Sequence, residues 1–155
     1  MKLLIRRLNE LSSKALYKII KLRIDVFVVE QACPYEECDN KDLESVHIYL
    51  EDKEDLVAYL RVLPPGVSYE ESSIGRVLVN KRYRDEGFGR QIMTEGINYC
   101  KNNFQGDIKI SGQAYLENFY MSLGFKTVSD VYLEDNIPHI DMVYYNKGKN
   151  MEARK

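Results

Sequence analysis

Arg84-Asp85-Glu86-Gly87-Phe88-Gly89 puts one arginine and two glycines into six residues. Glycine lets a backbone approach a ligand closely, and the first free N–H groups of a helix point at whatever lies beyond it. The run before this segment, Ile74-Gly75-Arg76-Val77-Leu78-Val79, reads as a strand, and the segment from Gly87 to about Lys101 reads as an amphipathic helix. Strand, glycine turn and helix N-terminus together make an anion cradle suited to phosphate. Arg84 and Arg90 flank the turn and bring charge for phosphate oxygens. The plainer reading is a tight turn with solvated arginines. The lysine and hydroxyl residue of a nucleoside-triphosphate loop are missing, as is the longer glycine spacing of a dinucleotide fold, so neither of those readings applies.

Other residues carry chemistry as well. Arg23 falls on the apolar stripe of an early helix, where it is a snorkelling side chain, a buried ion pair or an arginine aimed into a substrate cleft. Arg61 and Arg76 sit on strands expected to be neighbours and could bind an acidic group. The acidic positions Glu36, Glu37, Asp39 and Asp42 read as a solvated loop, with attraction of a cationic amine as the alternative. Tyr120 lies on the apolar face of a short helix, where a tyrosine is ordinarily core. Cys33 and Cys38 do not make a zinc site: no second cysteine pair follows, and His47 is the only nearby histidine.

The elements that position these groups follow from the hydrophobic pattern. Lys2–Leu8 reads as a strand. Ser12 and Ser13 offer an N-cap, and Leu16, Ile19, Ile20, Ile24 and Phe27 mark a helix of about four turns. Residues from Glu30 to Asp42 read as loop. Val46–Glu51 and Leu56–Leu63 read as a hairpin, and Ser73–Asn80 as the strand entering the glycine turn. Ile108–Ser111 follows the long helix, then a helix over Leu116–Leu123 stopped by Gly124. Phe125–Leu133 and Ile140–Tyr145 read as the last two strands, with Glu134–Pro138 between them. Asn146–Lys155 reads as a polar tail. The order predicts one α/β (α+β) domain over residues 1–145, with a mixed, mostly antiparallel sheet flanked by helices.

Composition narrows the function. A chain of 155 residues, 45% hydrophobic, builds one core and buries about 68–70% of its unfolded surface. The net charge of −2 gives no general pull on nucleic acid. No apolar run reaches the length of a membrane span, and the odd count of three cysteines points to reduced thiols in cytoplasm. No membrane partner and no metal are expected. A homodimer is compatible with the pattern.

Strand, R-x-x-G-x-G and helix resemble the acyl-CoA diphosphate loop of the GNAT acetyltransferases. Gln113-Ala114-Tyr115-Leu116-Glu117-Asn118-Phe119-Tyr120 followed by Gly124-Phe125 resembles the second GNAT motif. Leu22-Arg23, Val26 through Gln31, Cys33-Pro34-Tyr35, Ile74 through Val77, Gln113-Ala114, Phe119-Tyr120 and Ile137-Pro138-His139-Ile140 together resemble the ElaA-like branch of that family. The resemblance covers about residues 2–145. It implies that Val77, Leu78 and Val79 splay from the next parallel strand and offer backbone groups to the pantetheine arm. It implies that Arg84, Asp85, Glu86, Gly87, Phe88, Gly89 and Arg90 hold the diphosphate, and that Tyr120 protonates the departing thiolate. Many relatives have asparagine where Gln113 stands; the glutamine still offers an amide to pantetheine.

The expected function is transfer of an acetyl group from acetyl-CoA, as cosubstrate, to a primary amine of a small molecule or peptide. Direct attack is expected because no cysteine stands at the motif positions. A CoA-binding sensor or interaction module without turnover is the alternative. The amine must lose a proton before attack. Glu30, His47, His139 and a water chain are the candidate routes, and His139 is favoured because histidine titrates near neutrality. Arg23, Glu30, Arg61 and Arg76 are the expected acceptor contacts.

Overall fold

The computed structural model of the chain describes residues 1–146. β1 (Lys2–Arg7) leads to α1 (Ser13–Arg23), which is capped by the Ser12 side chain accepting the Ala15 N–H at 3.1 Å. β2 (Val46–Asp52), β3 (Asp55–Leu63) and β4 (Ser73–Val79) complete a four-stranded sheet in the order β1-β2-β3-β4. α2 (Phe88–Asn103), β5 (Ile108–Gln113) and α3 (Glu117–Ser122) follow. β6 (Lys126–Thr127), β7 (Tyr132–Glu134) and β8 (Ile137–Tyr144) form a second sheet with β5, in which β8 lies between β5 and β6 and also pairs with β7.

Alternation along the strands decides which helix covers which face. Ile48, Leu50, Leu60 and Val62 face Ile92, Met93 and Ile97 of α2, in a core that also takes Ile108, Ile110, Ile140 and Met142 from the second sheet. Tyr49, Tyr59 and Leu78 face Ile19 of α1 and Val26 just beyond it. The two sheets therefore share one core. Every pair of neighbouring strands within them is antiparallel. The parallel element of the expected mixed sheet is one bridge, Ser72 to Ile108, where the Lys109 N–H donates to the Ser72 carbonyl at 2.9 Å.

Three local expectations are corrected. The helix read through Phe27 changes character at Ile24, and Ile24–Glu30 is π-helical. The Cys33 N–H closes the widened turn on the Val28 carbonyl at 3.0 Å. The strand read over Phe125–Leu133 splits into β6 and β7, because the Ser129 hydroxyl accepts the Asp141 N–H at 2.9 Å in place of a ladder partner. The loop read over Glu134–Pro138 shrinks to Asp135-Asn136. Both residues have positive φ, 51° and 64°, as a two-residue hairpin turn matched to strand twist requires. Of the predicted polar tail only Asn146 lies within the described residues, and it is buried.

The acidic run read as solvated loop is largely interior. Arg23 is fully buried, donating to Glu37 Oε1 at 2.5 Å and Asp42 Oδ1 at 2.8 Å. Arg61 donates to Asp39 Oδ2 at 2.6 Å and Asp42 Oδ1 at 3.0 Å, and Arg76 Nε to Glu37 Oε1 at 3.0 Å. Three guanidinium groups thus meet three carboxylates. Burial alone would raise the Asp42 carboxyl, and Arg23 and Arg61 instead hold it below the usual range. Asp39 is likewise raised by burial and pulled down further by Arg61 and Arg76.

Removing one partner of such a network leaves buried charge uncompensated. Arg23→Met is expected to lower the unfolding free energy by about 3–5 kcal/mol in urea denaturation. The depressed carboxylates contribute stability above their unfolded value of about 3.9, and that contribution is lost as the pH falls through and below it. Urea midpoints of the parent should therefore drop on acidification, and in Asp42→Asn the dependence should flatten.

Candidate active site

Beyond the Ser72–Ile108 bridge the two sheets part, since β4 pairs onward only with β3 and β5 only with β8. A cavity of about 840 Å³ opens between them. Val77, Leu78 and Val79 line it from β4, and Ile110, Ser111, Gly112 and Gln113 from β5. β4 carries a bulge here. Tyr59 pairs with Leu78 but Arg61 pairs with Gly75, so one extra residue is accommodated on β4. Arg76 takes the strain, with φ of +52°, and its guanidinium is held by Glu37 and lies over the Tyr35 ring at 5.3 Å.

At one end of the cavity lies the glycine turn. Gly87 caps α2 in a left-handed conformation, φ +85°, which glycine adopts without penalty. The first turn of α2 faces the end of β4 with room for a methyl group: a Cβ on Gly89 would lie in ordinary contact, 3.7 Å from Val79 and 3.8 Å from Phe119. The N–H groups of Phe88, Gly89 and Arg90 are in the first helical turn, whose donors have no intrahelical acceptor. Both flanking arginines have protein partners. Arg84 forks onto Glu30 at 2.7 and 2.9 Å and donates through Nε to the Val79 carbonyl at 3.1 Å. Arg90 donates to Ser122 Oγ at 2.6 Å and lies over the Phe119 ring.

Tyr120 enters the cavity from α3. Its ring meets Phe119 and Phe125 edge-on and lies on Gly112, where an added Cβ would approach Cε2 to 2.9 Å. Burial pushes its hydroxyl up to about 12, with Tyr115 adding to the rise. The phenol is therefore protonated at neutral pH. Gly112 was not singled out from the sequence; a glycine inside a strand is the signal that marks close approach.

His139 lines the same cavity from β8. Its Nδ1 is 2.7 Å from the Ile137 carbonyl, and a carbonyl only accepts, so Nδ1 carries the proton. The other ring nitrogen, Nε2, lies 3.4 Å from Glu134 Oε2. Tyr132 stacks on the imidazole, and its hydroxyl donates to Asp141 Oδ1 at 2.6 Å. His47 is placed differently: it is fully buried between Tyr59 and the Asp42 backbone, and burial lowers its affinity for a proton.

The expected acceptor contacts separate. Glu30, Arg61 and Arg76 line the cavity, but Arg23 does not. The Arg61 head group is committed to Asp39 and Asp42. Gln113 faces the cavity with its amide on Gln31 Oε1 at 3.3 Å. Among the described residues no three His, Cys, Asp or Glu side chains are arranged to hold a metal ion, and no helix is long and apolar enough to cross a membrane.

Splayed strands, a glycine turn opening a helix and a tyrosine facing the gap define an acyltransferase of the acyl-CoA N-acyltransferase fold. The profile of the acetyltransferase (GNAT) domain matches residues 12–145. Protein ElaA of Escherichia coli K12 is 42% identical over 137 residues, covering 86% of this chain and 90% of that one. The crystal structure of Escherichia coli ElaA superposes with a TM-score of 0.86 at 40% identity, covering 92% and 99% of the two chains. An acyl-CoA N-acyltransferase from Pseudomonas aeruginosa superposes equally well, 0.86 at 37% identity, with the same coverage. The chain belongs to the GNAT acetyltransferase family.

Gly112 should be intolerant of any side chain. Gly112→Ala is expected to cost about 1–3 kcal/mol of stability through overpacking against Tyr120, read by thermal unfolding. An unchanged midpoint would contradict the contact.

Proposed function

We propose that the enzyme moves an acetyl group from acetyl-CoA to a primary amine by direct attack. The observation that supports this most is the shared cavity: one gap holds the splayed backbone of β4, the glycine turn and the Tyr120 phenol. The diphosphate would lie on the N–H groups opening α2, where backbone donors and the helix dipole favour anions. Arg84 and Arg90 add charge. The pantetheine amides would pair with Val77–Val79 as a strand adds to an open edge, with Gln113 opposite. The thioester carbonyl then meets a backbone N–H at Leu78 or Val79, which stabilises the oxyanion.

The acceptor arrives as an ammonium ion. His139 Nε2 takes one proton, and the free amine attacks the thioester carbon. The tetrahedral intermediate collapses by breaking the C–S bond; Tyr120 donates its proton to the leaving sulfur and is restored by the second proton lost from the attacking nitrogen, while the proton on His139 passes to water. One proton is released for each amide formed. The acceptor is a small molecule or a peptide, and Arg76 borders its end of the cavity, while Glu30 is held on Arg84 at the glycine turn. Arg23 is outside that role, being committed to Glu37 and Asp42.

Three experiments check the assignments. CoA should bind with a dissociation constant in the micromolar range, about 8 kcal/mol at 1 μM. Gly89→Val should weaken binding by tenfold or more in calorimetry, since its γ carbons would press on Val79 and Phe119 and shift the first turn of α2; unchanged affinity sinks the loop assignment. Tyr120→Phe should bind CoA normally and lose about 10²–10⁴ in kcat where chemistry limits the rate. His139→Gln should remove the rising limb of kcat/KM with pH while keeping CoA affinity. If its profile overlays the parent's, the proton leaves by another route.

A further inference from the structure

Residues 30–33, at the end of the π-helical segment, are tied at three points around the cavity. Glu30 holds the Arg84 fork at the glycine turn. Gln31 accepts from Gln113 on β5 at 3.3 Å. The Cys33 thiol donates to the Asp135 carbonyl at 3.4 Å, at the tip of the hairpin that carries His139. The first two ties fall where the two halves of an acyl-CoA would lie. The diphosphate belongs at the glycine turn beside Arg84, and the pantetheine arm along β5 beside Gln113.

We propose that Glu30 is a built-in competitor of the acyl-CoA diphosphate for Arg84, and that filling the CoA site frees Glu30 and Gln31 toward the acceptor end. The proposal rests on the acyl-CoA reading above. The Arg84 Nε is committed to the Val79 carbonyl, which leaves the Nη1–Nη2 fork for a bidentate acid, and here Glu30 occupies it. A diphosphate seated on the α2 N–H groups carries more negative charge than one carboxylate and draws the same fork. The exchange is cheap because Glu30 and Arg84 are both partly exposed. The Gln31–Gln113 bond is long and links neutral groups, so the pantetheine amide displaces it at little cost. Cys33 stays anchored to Asp135 and acts as the pivot.

Calorimetry with CoA and with acetyl-pantetheine, which lacks the diphosphate, tests this. Glu30→Gln should tighten CoA binding by about two- to fivefold, the worth of an exposed ion pair, and leave acetyl-pantetheine binding unchanged. Arg84→Gln should weaken CoA binding, and adding Glu30→Gln in that background should change nothing further. Glu30→Ala should reproduce the gain of Glu30→Gln. The proposal is overturned if CoA affinity is unchanged or lower in both Glu30 variants, or if the gain survives in the Arg84→Gln background. A parent protein that binds no CoA removes the acyl-CoA reading and this proposal with it. A parent that binds CoA while the Glu30 variants gain nothing removes this proposal alone.

Discussion

β4 and β5 run together for one bridging pair, Ser72 with Ile108, and then separate because each has a different partner on its far side. That separation is the constraint on which the site depends. Two parallel strands that stayed paired would satisfy each other's backbone groups and leave no gap. Parted, they leave a cleft whose walls are backbone and whose ends are set by the turns that follow each strand. The strand after the bridge on one side runs into the glycine turn and α2. On the other it runs into α3 with Tyr120. The binding loop and the phenol are thus delivered to one cavity by the same divergence.

Holding β4 apart needs a fixed bend, and Arg76 provides it. A non-glycine residue at φ +52° inside a strand costs energy that its surroundings must recover. Glu37 supplies the recovery, and Glu37 is itself held by Arg23 beneath it. Arg23 and Arg61 share Asp42, and Arg61 and Arg76 share Asp39. The network thus couples α1, the 37–42 loop, β3 and the β4 bulge. These charges serve the geometry of the cleft more than recognition of a ligand, because each arginine already meets carboxylates of the chain.

What could be read in advance was local. The turn at Gly87, the helix after it and the hairpin of β2 and β3 depend on residues close in sequence, and their patterns are strong. The Ser12 cap and the apolar stripe of α1 are of the same kind. The motif around Tyr120 was readable through family resemblance, although periodicity alone marks that tyrosine as core. The rest required distant partners. Arg23 was identifiable as a misfit on an apolar stripe, but its partners lie 14 and 19 residues away in a run without period. The carboxylates of that run read as solvated because nothing nearby needs them. The division into two sheets follows from β8 lying between β5 and β6, a pairing that no local pattern encodes. Gly112 matters only because the Tyr120 ring lies on it, and Glu134 only because a two-residue turn returns it to His139.

The central claim is that acyl-CoA occupies the gap between β4 and β5 with its diphosphate on the first turn of α2. Amide hydrogen exchange with and without saturating acetyl-CoA tests it most directly. Exchange should slow at Val77–Val79 and over Phe88–Arg90, while the distant β1 amides of Lys2–Arg7 should not change. Saturated binding that leaves the amides of Phe88–Arg90 and of Val77–Val79 unprotected would contradict it.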